Sequence, residues 1–378
     1  MLRWFRRRKK KEIDIQFSSQ WQLMRYKFSK HKLAVVSVYI LVFIYLVGIF
    51  CEFLAPYNPA RINAERVLAP PQVIRIRDSE GNFRRPFVYG FRTSMDPHTL
   101  QRIYEPDYTR IFPIRFFIEG ESYRMWGLFE ANTRLFGVDE SQGHYMFLIG
   151  TDRMGRDMMS RLIFGTRVST SIGLLGVLVS FLLGILFGGL SGFYGGMVDN
   201  LIQRFIELLR SVPAIPLWLG LAAAMPPLWS SARVYFVIVL ILSLIGWTGL
   251  ARVVRSRFMT IKTEEFVTAA KLSGASDARI ITKHMVPNFT SHIIASITLA
   301  IPEMIISETA LSFLGLGIRP PIISWGVLLQ DAQHIRIVAM SPWLLIPALA
   351  VIVTVLCFNF LGDGLRDAAD PYSGQGRL

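Results

Sequence analysis

The sequence predicts an all-α polytopic membrane protein of six transmembrane helices, with an extracytoplasmic insert between the first and second. Three observations carry that prediction. Of 378 residues, 52% are hydrophobic and only 18% are charged, with a mean hydropathy of +0.40; soluble domains carry about 25% charged residues. The apolar residues are gathered into runs close to the roughly 20 residues that cross a hydrocarbon core. The net charge of +14 is also concentrated, since residues 1–32 hold eleven Lys and Arg against Glu12 and Asp14. A nucleic-acid binder would spread such charge over a folded face with aromatic readers between the basic residues. Here the charge precedes an apolar stretch, so the expected partner is the lipid bilayer and nucleic acid is excluded.

In chain order, a basic cytoplasmic N-terminus (1–32) leads into the first transmembrane segment (33–55), whose charge-free part is 33–51. The apolar core begins thirty residues in and lacks a small-residue cleavage site, so it reads as an anchor and not as a cleaved signal. An extracytoplasmic insert (56–166) follows, then a five-helix core (167–364) with runs at 168–198, 211–232, 234–251 and 337–362. The run at 211–232 carries Pro213, Pro216, Pro226 and Pro227. A sixth candidate, 284–302, holds His284, Asn288 and His292 and runs into Glu303 and Glu308. A short cytoplasmic tail (365–378) closes the chain. All nine lysines lie at positions 9, 10, 11, 27, 30, 32, 262, 271 and 283. With residues 1–32 inside, six crossings return both termini to the cytoplasm and place the loop 252–286 inside too, as the positive-inside rule requires. The insert has fifteen Arg, thirteen acids and no Lys; a segment that long is exempt from the charge rule. Its patches at 71–77 and 115–118 read as short strands in a mostly β or irregular domain. Cys51 and Cys357 both sit in apolar runs, which leaves no disulfide framework and no metal ligand set.

The loop between the fourth and fifth runs is the most informative segment. Ala269, Ala270 and Leu272 favour a helix, Glu264 and Glu265 suit its first turn, and Gly274 suits a C′ position at positive φ. Ser276 and Asp277 can start a second helix, and Pro287 opens the next span. With Phe266 beside two alanines, the first helix is a compact knob with one aromatic anchor. By composition it either docks in a cleft of a cytoplasmic partner or lies on the bilayer surface.

The run Glu265-Phe266-Val267-Thr268-Ala269-Ala270, then Gly274, then His284-Met285-Val286-Pro287-Asn288 resembles the coupling loop of ABC importer permeases. Thr268, His284 and Val286 depart from its general pattern, while Ala269, Ala270, Gly274 and Pro287 keep the spacing. The blocks at 149–169, at 192–213 (Gly192 to Pro213) and at 308–326 are similar to other parts of the same family. Together they resemble the C-type inner-membrane permease subunit of dipeptide and oligopeptide importers, a binding-protein-dependent transport family, over roughly 149–371. The resemblance implies the type I importer permease fold and a set of partners: a second homologous permease, two cytoplasmic ABC ATPase subunits and an extracytoplasmic solute-binding protein. It implies that Glu265, Phe266, Ala269, Ala270, Gly274, Asp277 and Pro287 couple ATP use to transport. This chain has no Gly-x-x-x-x-Gly-Lys-Ser/Thr phosphate loop. ATP therefore belongs to the partners, and the chain is expected to need no cofactor, no metal and no catalytic residue.

Intramembrane acids are functional candidates by default. Glu303 and Glu308 are expected near the outer end of the fifth span, either lining an outer gate or translocation path or pairing there with Arg319 or backbone. Two other classes remain. A self-sufficient secondary transporter or channel would need no partner for the loop. An intramembrane serine protease would use Gly189-Leu190-Ser191-Gly192 with His284 or His292, although Gly184, Gly188, Gly189 and Gly192 also suit close helix packing. The reading that gathers most of these residues is a peptide-importer permease of the bacterial cytoplasmic membrane.

Overall fold

The computed structural model describes residues 20–97, 102–140, 143–226, 228–288 and 290–369. The basic run through Lys11, Pro227 and the end of the tail lie outside the described residues. A short helix α1 (Gln20–Lys30) leads into α2 (Lys32–Ile49), whose N-cap His31 accepts the Ala34 N–H at Nδ1. A helical turn α3 (Cys51–Leu54) ends α2. Five strands follow: β1 (Arg75–Arg77), β2 (Phe83–Met95) and β3 (Arg102–Pro113) form one antiparallel sheet, and β4 (Arg115–Met125) and β5 (Phe129–Gly137) form a hairpin turning through Trp126 and Gly127, both at positive φ.

The helical core begins at α4 (Met158–Tyr194), ten residues earlier than the apolar run suggests. Arg161 and Arg167 are tolerated in its first turns because each has a carboxylate partner, although Arg161 Nε is buried without a hydrogen bond. Arg161 lies 3.4 Å from Asp152. Arg167 donates to both Glu52 oxygens (2.5 Å each) and to the carbonyls of Gly48 and Ile49, satisfying acceptors at the end of α2. After Gly195 comes α5 (Gly196–Ser211), then a break at Val212-Pro213 and an 80° bend into α6 (Ala214–Ala223). The expected third crossing at 211–232 is thus a ten-residue helix joined to a bent partner. Pro213 cannot continue α5, and the chain leaves α6 before Pro226. Next come α7 (Ser231–Ile261), which runs ten residues past the expected 251, α8 (Glu265–Leu272), the turn α9 (Asp277–Arg279), a π-helical turn Ile280–Met285, α10 (Val286–Asn288) and α11 (Thr290–Phe313). The fifth apolar helix is therefore shifted from 284–302, because residues 277–288 are spent on short turns ahead of it. Finally α12 (Trp325–Leu329), α13 (Ile335–Met340) and α14 (Ile346–Ala369) close the chain, with Ser341-Pro342 breaking the predicted 337–362 helix.

Among the described residues, five helices are long and apolar enough to cross a membrane, or six if the bent α5–α6 pair counts as one. Their shared core centres on Ile172, Ile238, Leu242 and Ile305. One junction ties the loops before β1 and after β5 to the helices. Tyr57 N–H donates to Ser160 Oγ, Ala69 N–H to Thr151 Oγ1, and Trp343 Nε1–H to the Thr151 carbonyl (2.9 Å). Gly155 sits at φ +74°, and a Cβ there would lie within 2 Å of the Asn63 carbonyl oxygen (1.9 Å).

Asp157 caps α4 from within this junction, accepting from Ser160 N–H and Oγ at Oδ2, while its Oδ1 is buried without a partner. Burial pushes its carboxyl from 3.8 up to about 6. A folded-state value above the unfolded one favours the protonated carboxyl, so its stabilising contribution is complete below 3.8 and is lost as pH rises to about 6. Asp157→Asn keeps a good cap without the charge. It is expected to raise the thermal midpoint in detergent by a few degrees at pH 7.5, with the gain vanishing below about pH 4. A gain independent of pH between 4 and 7.5 would contradict this account.

Candidate functional site

The site is built on α8. Glu264 precedes it in extended conformation, and its C-terminus closes as a Schellman motif: Gly274 N–H donates to the Lys271 carbonyl (2.9 Å) and Ala275 N–H to the Ala270 carbonyl (3.1 Å). That closure requires the left-handed conformation Gly274 adopts, φ +76°. The two helix-end bonds reverse the chain at once, so Asp277 begins α9 three residues later.

Which way α8 faces follows from its 3.6-residue period. Val267 points inward and is fully buried, with Phe266, Ala270 and Ala275 packed at its edge. This inner face joins a cluster of Phe193 from α4, Val254 and Phe258 from α7, Ile280 and Met285 from the π-helical turn, and Ile293 from α11. Three membrane-length helices therefore meet behind one short helix. The outer face presents Glu265, Thr268, Ala269 and Leu272 to solvent, and Leu272 is 85% exposed.

The structure places the predicted residues in two groups. Ala269 and Glu265 lie on the open face. Phe266 and Ala270 pack inward, so Phe266 anchors α8 to its own chain and is not the aromatic group of an exposed knob. Asp277 is exposed and shares a hydrogen bond with the Tyr194 hydroxyl at the end of α4. Pro287 is exposed in the first turn leading to α11. Sequence reasoning misses Leu272. Its signal was an apolar residue at i+3 from Ala269 and two before the reversing glycine, which on the inner face would have been core. It also misses Lys262 and Lys271, whose ammonium groups lie 5.8 and 5.2 Å from the centroid of the Phe193 ring.

Below the loop, Asp199 of α5 pairs bidentately with Arg255 of α7 at 2.5 Å per contact, and Ser191 and Gln203 complete the network. Ser191 is thus a buried packing hydroxyl held by Asp199. His284 is exposed, and the side chain of His292 lies outside the described residues. The protease arrangement has no histidine at its serine among the described contacts. Arg204 and Glu207 form an i,i+3 pair at 2.8 Å on the exposed face.

The two membrane glutamates separate. Glu308 is fully enclosed, accepting hydrogen bonds from Ser312 Oγ (2.6 Å), Ser169 Oγ (3.5 Å) and Ser324. The same serines accept from backbone: Ser312 from Ile318, Ser169 from Trp325 and Ser324 from Val327. Glu308 therefore knits α11, α4 and the entry to α12, with no open face and no contact to Arg319. Glu303 sits at the midpoint of the apolar stretch Ile293–Phe313, not near its end, and its side chain is open.

The chain is similar to known proteins. Residues 182–372 match the family described as binding-protein-dependent transport system inner membrane component, and residues 19–71 match the N-terminal TM domain of oligopeptide transport permease C. The oligopeptide transport system permease protein OppC of Haemophilus influenzae is 40% identical over 231 residues, covering 61% of this chain and 71% of that protein. The dipeptide transport system permease protein DppC of Lactococcus lactis is 30% identical over 366 residues, covering 95% and 91%. One chain of the MetNI methionine ABC transporter is 16% identical with a TM-score of 0.43, covering 56% and 97%. With half of the chain inside the family's own span and a relative aligned almost end to end, the chain belongs to the binding-protein-dependent transport system inner membrane component family.

Proposed function

We propose that this chain is one permease subunit of an ABC importer that moves peptides or similar small solutes across the bacterial cytoplasmic membrane by alternating access. The observation that carries the reading is α8: a short helix whose open face ends in an exposed leucine, while its closed face is packed against α4, α7 and α11. A partner that pushes on that face pushes on three membrane helices at once. In this reading α8 docks in a cleft of a cytoplasmic ATPase, one of two that supply the ATP chemistry this chain lacks. The bent α5–α6 pair is the sixth crossing, both termini are cytoplasmic, and the β-rich segment lies outside. A second permease completes the path and a solute-binding protein delivers the cargo. The relatives named for dipeptide and oligopeptide transport support the cargo class.

The test is to tag the C-terminus, extract in mild detergent and identify the co-purifying chains. A second permease with two ATPases in near-stoichiometric amounts is the expected result. A chain that purifies alone and still drives uptake in vesicles without ATP would overturn the proposal in favour of a self-sufficient transporter.

A further inference from the structure

Between α4, α7 and α11 lies a cavity of about 230 Å³ with Ser180 and Phe181 on one wall, Gly246 and Gly249 on another, and Met304 and Glu303 on the third. Its remaining lining is small or aliphatic, and among the described residues no Lys, Arg or His lines it. Glu303 has no ion-pair partner among the described residues. A carboxylate open at mid-span is too costly to face lipid, and such groups face a bundle interior or an aqueous cavity.

Two further features point to a ligand. Ser180 is 3% exposed, and its Oγ has no hydrogen-bond partner, although buried hydroxyls are normally satisfied. The glycines hold the space open: a Cβ at Gly246 would lie 2.8 Å from Ser180 Oγ and 2.4 Å from Met304 Cε, whereas at Gly249 nothing stands within 4 Å. One acceptor carboxylate, one unpaired hydroxyl and apolar walls suit a group that brings several N–H donors and a positive charge. The volume falls below the about 300–1,000 Å³ of pockets that enclose a whole small molecule, so it admits one end of a solute.

We infer that this cavity is a transient subsite for the primary ammonium end of the imported solute, with Glu303 as the charge that receives it. The inference rests on the importer reading above and adds a residue and a chemical group to it. The test uses the whole complex, with its ATPases, sister permease and binding protein, reconstituted in vesicles. Uptake of an alanyl dipeptide is compared with that of its des-amino counterpart, in wild type, Glu303→Gln and Glu303→Asp. The binding protein is common to all three, so its own preference cancels. Glu303→Gln is expected to lower kcat/KM for the alanyl dipeptide about tenfold, the loss of one charged hydrogen bond, while des-amino uptake stays within about twofold. Glu303→Asp should restore most of the difference. Equal loss of both substrates, or no loss of either, overturns the subsite. Absence of ATP-dependent uptake by the wild-type complex overturns the importer reading, and the subsite with it.

Discussion

Replacing Leu272 by Asp is expected to cut uptake at least tenfold while leaving the protein in the membrane at its normal level and with its normal thermal midpoint. The side chain is 85% exposed and touches no part of the core, and substitutions at such positions usually shift stability by less than about 0.5 kcal/mol. What changes is the apolar patch offered to a partner. Burying a leucine is worth about 1.5–3 kcal/mol, and placing a carboxylate in the same contact adds a desolvation cost. ATP hydrolysis by co-purified ATPases should continue, now disconnected from transport. Two neighbours sharpen the test from the other side. Gly274→Val strains a backbone at φ +76° without any clash, since nothing lies within 4 Å of its Cβ. That strain is on the order of 1–2 kcal/mol, enough to open the Schellman closure and misdirect α8. Ala270→Asp places a charge against the packed inner face and should separate α8 from the cluster behind it. Gly274→Asn, which tolerates the left-handed region, should be the mildest of the series. Normal uptake by Leu272→Asp and Gly274→Val, at wild-type expression, would remove α8 from the mechanism.

Gly188→Val should have the largest effect on folding. Gly184, Gly188 and Gly192 recur at intervals of four, so they share one face of α4, and that face lies directly on α7. A Cβ would sit 2.4 Å from the Ala251 carbonyl oxygen at 188, and 2.6 Å from Phe258 Cβ at 192. Both obstacles are backbone or backbone-proximal atoms, so no rotamer change relieves them. Accommodating a branched side chain means prising the two helices apart and losing dispersion contacts along their length, a cost of about 3 kcal/mol or more when overpacking and lost contact add. The expected outcome is little or no folded protein by fluorescence-detected size exclusion. Gly220→Ala in α6 is the control, because its Cβ meets nothing within 4 Å, and a helical Gly→Ala change is neutral or mildly stabilising. Equal yields for both variants would mean that the two helices are not in register as described.

The apolar helices were legible because bilayer thickness imposes a length on sequence directly, and composition alone reveals it. Their ends were not. α4 starts early because Arg167 is neutralised by Glu52, 115 residues away, a pairing no local pattern announces. α11 starts late because a π-helical turn absorbs residues that read as span. The run at 211–232 reads as one crossing by its apolar length, and the bend its prolines impose lies outside that reading. In the loop, the glycine reversal was readable because φ > 0 selects glycine, whereas the inward turn of Phe266 depended on a cluster assembled from α4, α7 and α11. Of the strands, only fragments of β1 and β4 were visible. β2 buries Phe87 to Gly90 in an unbroken row and its register with β3 shifts between Tyr89 and Gly90, which hides the two-residue alternation.

The length of α4 sets the scale of any motion between its ends. Its 37 residues contain no proline, so at 1.5 Å per residue it is a rod of about 55 Å, longer than the about 40–45 Å of a whole bilayer. One end is fixed at the Asp157 junction; the other ends in Phe193 and Tyr194, against the π-helical turn and Asp277. Without a proline to kink it, such a rod can act as a lever arm. Pivoting it by about 5° about the fixed end sweeps the far end, behind α8, through about 5 Å, roughly one helical turn and the size of a side chain.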